Sequence, residues 1–378
     1  MDRPETDVLV VGGGLTGCAA AYFLAKAGAG VTLVERHDLN TQASGRNAGG
    51  LHGQIQHEPF LELGEAWARE FGPTLGLMRD AIELWRGLAE ELGADLEVNV
   101  CGGLLVAATG AQMRDLERKA VIERSFGVGV EVLSRADLQR VAPYVSERMA
   151  GGLLCEVEGK ANPLLAAPAF ARVAVDRGAR LLLSTEVLAV ERTRTGFVVE
   201  TTAGPIDCRT IVDCGGADAG SVSSLVGVEL PVERWPIQVS VTEAVPPLVS
   251  HLVYFAGDRL TLKQAKLGSL LIGGGWPSRT DGRGRVVVDV ASLGPNLGLA
   301  VEVAPRVAGA SLLRTWAGVC PGIADQRPVI GEVVPGFFVA MFPFLGFTGG
   351  PIMGNLVARL ALGEDPGRDL SPFSPARF

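Results

Sequence analysis

The chain has 378 residues, 47% hydrophobic and 20% charged, which excludes a disordered chain and leaves room for two domains around substantial cores. A net charge of −8 argues against nonspecific nucleic-acid binding, although local charge decides whether a small anion binds. Six cysteines, at 18, 101, 155, 208, 214 and 320, show no C-x-x-C or metal-type spacing, so reduced thiols in a cytoplasmic protein and no metal site are expected.

The polar start MDRPET gives no secretory signal. The most hydrophobic stretch, 336–362, is interrupted by Pro343, Pro351 and several glycines, so no transmembrane helix is expected. Residues 7–11 form a short β-rich run. Gly12-Gly13-Gly14-Leu15-Thr16-Gly17 follows, with Gly12, Gly14 and Gly17 in G-x-G-x-x-G spacing. Residues 18–27 read as a small-residue helix stopped by Gly28 and Gly30, and 31–34 as a second buried strand with Glu35 at its end. Gly12 permits the tight turn, Gly14 lets backbone approach a pyrophosphate, and Gly17 lets helix and strand pack closely. The helix N-terminus offers N–H groups and a positive dipole end to phosphate. Glu35 can accept hydrogen bonds from a ribose diol and would repel a 2′-phosphate, so FAD or NAD fits better than NADP.

Residues 41–56 are glycine-rich and polar and read as a loop held against something. Residues 59–93 carry apolar side chains at helical spacing, with a break expected near Gly72-Pro73. A strand within 96–107, a helix over 111–126, a short helix over 135–141 capped by Ser134, and a strand at 151–157 follow. Asn162-Pro163 opens a helix over 164–177, ahead of strands at 180–183, 186–192 and 196–201. The apolar run 210–214 enters Gly215-Gly216 and a helix from Ala219, repeating the strand–glycine–helix logic of the start. Strand signals dominate 230–276, at 237–242, 252–255, 259–264 and 269–273, and 301–316 returns a strand or two. Residues 337–341 read as a strand, 342–350 as a loop and 351–362 as a helix with Pro351 at its start. The fold class is therefore α/β (α+β). A Rossmann-like dinucleotide domain is assembled from the discontinuous segments 1–94, 156–225 and 316–378. An antiparallel β-sheet substrate domain comes from 95–155 and 226–315.

The stretches GGGLTGCAAAYFLAKAGAGVTLVER, ASGRNAGGLHGQ, VDCGGADAG, WAGVCPGIADQRPVIG and FLGFTGGPIMGNLVARLALG span nearly the whole chain. In this order they resemble the D-amino-acid oxidase superfamily of flavoproteins, which includes sarcosine and glycine oxidases. SGRNAGGLHGQ and RLTLKQAKLGSLLIGGGWP look most like its multi-subunit opine and imino-acid dehydrogenase branch. The resemblance implies noncovalent FAD and hydride transfer to flavin N5 from the carbon beside a substrate nitrogen. The donor would be an amine or amino-acid-like small molecule. It implies a catalytic subunit of a hetero-oligomer, with a second flavoprotein and small iron–sulfur subunits as partners. Carried over by position, Gly12, Gly14, Leu15, Thr16, Gly17, Glu35 and Arg36 would hold the ADP half. Ser44, Arg46, Asn47, Ala48, Gly49, Gly50 and Leu51 would line the pyrophosphate and the isoalloxazine edge. Val187 would touch the adenine side, and Cys214, Gly215 and Gly216 the ADP region. Gly318, Ile323, Gly346, Phe347, Thr348, Gly349 and Gly350 would meet the flavin ring.

Two departures from the family pattern bear on function. Cys320 stands where relatives that grip a carboxylate carry an arginine, and a thiol cannot make that bidentate contact; Arg327 or Arg46 could compensate. Leu271 stands where some oxidases hold a lysine near flavin N5, which favours a dehydrogenase that passes electrons onward. Gly318 falls at a position where some relatives tether flavin through cysteine. The candidates for substrate chemistry are His52, whose ordinary pKa suits proton handling, with Gln54 and Gln56 alternating beside it, and Lys263 on a strand that should roof the flavin. Each also has a bland role: a loop cap for His52, strand surface for the glutamines, a solvated strand end for Lys263. Cys320 reads as a redox thiol or a small buried hydrophobe, and Phe342, Phe344 and Phe347 as pocket lining or core. Two other functions fit the same residues: a stand-alone oxidase releasing hydrogen peroxide, and a flavin-carrying electron-transfer or assembly subunit.

Overall fold

In the computed structural model, which describes residues 5–378, β1 (Glu5–Val11) runs into the glycine turn, α1 (Leu15–Lys26) leaves it, and β2 (Val31–Val34) returns parallel to β1. The first four residues, on which part of the secretory-signal reading rests, lie outside the described residues. A one-turn helix α2 (Ala43–Arg46) and the short strand β3 (Gly50–Leu51) occupy the glycine-rich segment. The long α3 (His57–Leu92) comes next. Its break is at Gly64, not at Gly72-Pro73. Gly64 has φ of 80°, a left-handed conformation that glycine adopts without a Cβ clash. Pro73 sits inside the helix instead; Arg69, whose carbonyl loses its partner there, is exposed to water.

β4 (Gly103–Ala107), α4 (Gly110–Ser125), β5 (Val130–Ser134), α5 (Arg135–Val141), β6 (Gly151–Cys155) and β7 (Gly159–Lys160) follow. Ser134 caps α5 as expected, within a full capping box closed by Asp137. The chain then makes α6 (Ala166–Asp176), β8 (Arg180–Leu182), β9 (Val187–Arg192), β10 (Phe197–Thr201), β11 (Ile206–Asp213) and α7 (Ala219–Ser224). Next come β12 (Glu233–Ala244), β13 (Leu252–Phe255), β14 (Thr261–Gln264), β15 (Ser269–Gly273), and the two-residue pair β16 (Arg279–Thr280) and β17 (Val286–Val287). The end comprises α8 (Val290–Val303), β18 (Leu312–Gly322), β19 (Val329–Val334), β20 (Phe337–Met341) and α9 (Gly346–Ala361).

Two expectations fail here. Residues 290–303, overlapping the start of the strand signal at 301–316, are helical. Asp289 caps α8 by accepting from the Ala291 N–H, and Ser292, Asn296, Ala300 and Val303 are buried at helical spacing. Gly294, Pro295 and Gly298 hide that pattern in the sequence. The second failure is α9, which starts at Gly346, five residues before Pro351. Its glycines serve close packing and not a loop: a Cβ on Gly349 would fall 2.0 Å from the Phe342 ring, and one on Gly350 2.8 Å from Leu15.

Two eight-stranded sheets result. The first has the order β19-β20-β11-β1-β2-β8, parallel from β20 to β8, with β10 and β9 added antiparallel off β11. The second has the order β18-β12-β15-β14-β13-β4-β6-β5, antiparallel except where β13 meets β4. β18 stays in the second sheet along its length, so the expected domain boundary at residue 316 falls inside a strand. Side chains alternate across this sheet. Leu104, Val106, Val253, Leu262, Leu270 and Ile272 pack on one face with α8. Leu105, Tyr254, Thr261, Lys263, Ile237 and Val239 look the other way, into a cavity shared with α3 and α9. Among the described residues no helix is long and apolar enough to cross a membrane.

Helices α1 and α9 touch through small residues: a Cβ on Gly354 would stand 2.6 Å from Ala19 Cβ and 2.7 Å from the Ala20 nitrogen. Gly354→Val is expected to lower stability by about 1–3 kcal/mol, read as a lower denaturant midpoint. An unchanged midpoint would contradict this close packing.

Candidate active site

The first cavity, of about 350 Å3, opens at the junction of β1 and α1. Gly12 has φ of 107°, and a Cβ there would fall 2.6 Å from the Cys214 carbonyl oxygen. The second glycine turn, after β11, therefore abuts the first. Gly14, the N-cap of α1, has no side chain to cap the helix, and Leu15 N–H donates to Ser44 Oγ at 2.9 Å. Glu35 Oε2 accepts from the Gly13 N–H at 2.7 Å and Oε1 from the His37 N–H at 2.8 Å. A carboxylate keeps further lone pairs, which suffice for a ribose diol. Arg36 and Arg234 both bind Asp218 at the rim. Thr16, Val187, Cys214, Gly215, Gly216 and Gly346 complete the lining.

The second cavity, of about 390 Å3, shares Asn47, Cys320, Phe344 and Phe347 with the first, so the two form one trough. Ala48, Gly50, His52, Gln54, Ile323 and Thr348 line it below the β12–β14 face. The trough begins at one helix N-terminus, has an acidic residue placed for a ribose, and passes the N-terminus of α9. It fits an extended dinucleotide: Glu35, Ser44 and the α1 turn would hold the ADP half, and Asn47, Phe347 and Thr348 the ring end. The positive end of α9 would favour negative charge on a reduced ring.

Seven expected contacts do not line the trough, Gly350 among them because it packs on Leu15. Gly17 packs α1 on the turn, where its Cβ would fall 1.9 Å from the Gly12 carbonyl oxygen. Leu51 is core, Gly49 abuts the Ala161 carbonyl, Gly318 lies on Arg46 and Gly349 on Phe342. Arg46 itself donates to the carbonyls of Thr41 at 2.6 Å and Ala317 at 3.1 Å, clamping α2 to β18. Arg327 pairs with Asp325 at 3.1 Å, beside Arg377. Neither arginine faces the cavity, so neither replaces the arginine absent at Cys320. Cys320 does line it, with its thiol pushed up to about 12 by burial, so it carries no thiolate.

His52 and Lys263 meet across this cavity although 211 positions separate them in sequence. His52 N–H donates to Thr348 Oγ1 at 2.9 Å, and its Nδ1 lies 2.7 Å from the Tyr254 hydroxyl. Burial, and then the charge of Lys263, hold its pKa down to about 3, so the ring is neutral at physiological pH. Lys263 is 2% exposed. It has no hydrogen bond or ion pair to a described residue, and burial followed by Lys160 lowers its pKa to about 7. Gln54 reaches the wall, but its amide is engaged on both sides, by Lys119 at 3.2 Å and Glu158 at 2.8 Å. Gln56 is the N-cap residue of α3 and lines the cavity. Phe347 packs against Trp85 with ring centres 4.9 Å apart and planes tilted by 44°. Phe344 and Gln326, both lining the cavity, hold left-handed φ of 54° and 57° without being glycine. Such conformations persist where the surroundings over-determine them. Tyr254 and Glu158 are not singled out by the sequence. A single tyrosine on a strand and a glutamate in a glycine-flanked turn carry no signal of their own.

The chain matches the family described as "DAO: FAD dependent oxidoreductase" over residues 7–360, and it belongs to that family. It is thus an FAD-dependent oxidoreductase. It is similar to the sarcosine oxidase beta chain of Rhizobium meliloti, at 26% identity over all of this chain and 89% of that one. It is similar to one of the opine oxidase subunits of the same species, at 25% identity over 99% of this chain and 98% of that one. The crystal structure of glycine oxidase from Geobacillus kaustophilus superposes with a TM-score of 0.86, at 27% identity over 99% of both chains.

Glu35→Ala is expected to weaken FAD binding about tenfold or more, from loss of a charged acceptor, read by flavin fluorescence on titrating the apoprotein. Equal affinity would show that Glu35 does not hold the ribose.

Proposed function

We propose that this enzyme dehydrogenates a C–N bond of an amino acid, imino acid, opine or related secondary amine, as the catalytic subunit of a hetero-oligomer. The observation that carries this reading is the unpaired, buried Lys263 facing a neutral His52 across the cavity that continues the dinucleotide trough. Bound FAD supplies the hydride acceptor. The chain supplies the rest. Lys263 offers a positive charge to a substrate carboxylate, His52 offers a polar contact to the substrate nitrogen, and Ile237, Val239 and Phe347 exclude water. Hydride loss requires an unprotonated nitrogen, and a neutral imidazole beside an ammonium suits that form of the amine. The relatives named for sarcosine oxidase and opine oxidase, each of them one subunit of its enzyme, support both the C–N chemistry and the presence of partner chains. A second flavoprotein and small iron–sulfur proteins would serve as those partners and accept the electrons.

One observation favours a second reading, direct oxidation by oxygen. The resemblance puts Leu271 where some oxidases hold a lysine, and Leu271 pairs across the β14–β15 ladder with Lys263, so a lysine amine reaches that face from the neighbouring strand.

Anaerobic mixing of the FAD-loaded protein with a panel of N-substituted and D-amino acids tests the proposal. Flavin bleaching with a carboxylate-bearing amine is expected, together with a rise of about tenfold in KM in Lys263→Met and little change for the decarboxylated analogue. No bleaching with any amine would overturn the C–N reading, and fast peroxide release in air would select the oxidase.

A further inference from the structure

A line of buried polar groups runs from α4 to the cavity, and the donor capacity of each group gives it a direction. Lys119 and Glu123, one turn apart on α4 and both fully buried, pair at 2.6 Å. Lys119 Nζ also donates to Gln54 Oε1 at 3.2 Å. An ammonium has only donors, so Gln54 must turn its oxygen to Lys119 and its NH2 the other way. That NH2 donates to Glu158 Oε2 at 2.8 Å, while Glu158 Oε1 accepts from the Gly53 and Gln54 backbone N–H groups at 2.6 and 2.9 Å. Glu158 is fully buried, and all three of these partners are donors. Its Oε2 stands 1.5 Å from where a Cβ on Gly103 would lie, so only glycine at 103 admits it. The Tyr254 hydroxyl lies 2.7 Å from His52 Nδ1, and Glu158, which lines the same cavity, stands near enough to act on its proton.

We propose that Glu158, as a carboxylate, accepts the Tyr254 hydroxyl proton in a hydrogen bond. The Tyr254 oxygen then accepts from His52 Nδ1–H, and His52 Nε2 faces the cavity as an acceptor. Glu158 and Tyr254 are positioning residues, because they act through His52. The line selects the tautomer whose free lone pair receives an N–H of the substrate nitrogen, which rests on the proposed amine chemistry. A ring protonated on both nitrogens would offer no acceptor. Burial and Lys263 on β14 both oppose that state. Lys160 on β7 adds to the positive field, and Cys101 and Cys155, which also face Tyr254, stay thiols because burial pushes their pKa up. A protonated Glu158 would donate to Tyr254 and reverse the line, leaving Nε2–H in the cavity.

Nitrogen-15 NMR of the holoenzyme labelled at histidine reads the tautomer directly, with His52→Asn assigning its signal among the four histidines. The expected result is a proton on Nδ1 in the unaltered protein and on Nε2 in Glu158→Gln, whose amide can donate to Tyr254. Tyr254→Phe breaks the link without altering the carboxylate and is expected to lose the Nδ1–H preference, which decides the matter if Glu158→Gln does not fold. With an amine that bleaches the flavin, Glu158→Gln should lower kcat/KM about tenfold. An Nε2 proton in the unaltered holoenzyme, or one tautomer common to it and both variants, overturns the proposal. The signal needs no substrate, so its failure and a failure of the proposed reaction are separate results.

Discussion

The backbone contact at Gly12 sets the geometry of everything around it. A Cβ at that position would collide with the Cys214 carbonyl, and one at Gly17 would collide with Gly12 itself. Two side-chain-free positions therefore let α1 rest on the turn and let β11 lie parallel beside β1, with Val11 opposite Asp213. The same economy of side chains recurs at Gly350 and Gly354, where α9 presses on α1. Once these approaches are made, two helix N-termini converge on one trough and their dipoles point where phosphates and a reduced ring would sit.

Burial then sets the chemistry of the second cavity. Burial pushes both His52 and Lys263 toward their neutral forms; the charge of Lys263 adds to this at His52, and that of Lys160 at Lys263. A substrate that brings a carboxylate to the lysine supplies the charge the cavity lacks. Behind the wall, Glu158 and Glu123 Oε1 accept from backbone and amide donors of residues 53–55, and Lys119 donates to Glu123 Oε1 and Gln54 Oε1, while Glu123 Oε2 has no partner among the described residues. That network holds the loop carrying His52 in place. Removing one partner would leave a buried charge unpaired, which is why such networks tolerate little change.

Much of this architecture is legible in the chain itself. The opening βαβ unit, the Ser134 capping box and the strands at 252–255, 269–273 and 337–341 follow from local pattern, because period and capping are properties of adjacent residues. The failures are tertiary. The kink in α3 needs the conformation of Gly64, whereas Gly72-Pro73 is the stronger local signal. The start of α9 is decided by the packing of Gly349 and Gly350 against Phe342 and Leu15, which no window of sequence contains. His52 and Lys263 each stand out in the sequence, but their meeting depends on how the second sheet folds over the first. Tyr254 and Glu158 become visible only with that meeting, and Arg46 loses its expected role because Thr41 and Ala317 claim it.

The central claim is that the two cavities are one trough, with the flavin ring between α9 and the β12–β14 face and the substrate between that ring and the Lys263–His52 pair. A crystal structure of the FAD-loaded protein with an unreactive N-substituted amino-acid analogue tests it most directly. The ring is expected beside Asn47, Phe347 and Thr348, the analogue's carboxylate on Lys263 Nζ, and its nitrogen within hydrogen-bond reach of His52 Nε2. A ring lying outside the shared boundary, or an analogue bound with Lys263 still unpaired, would contradict it.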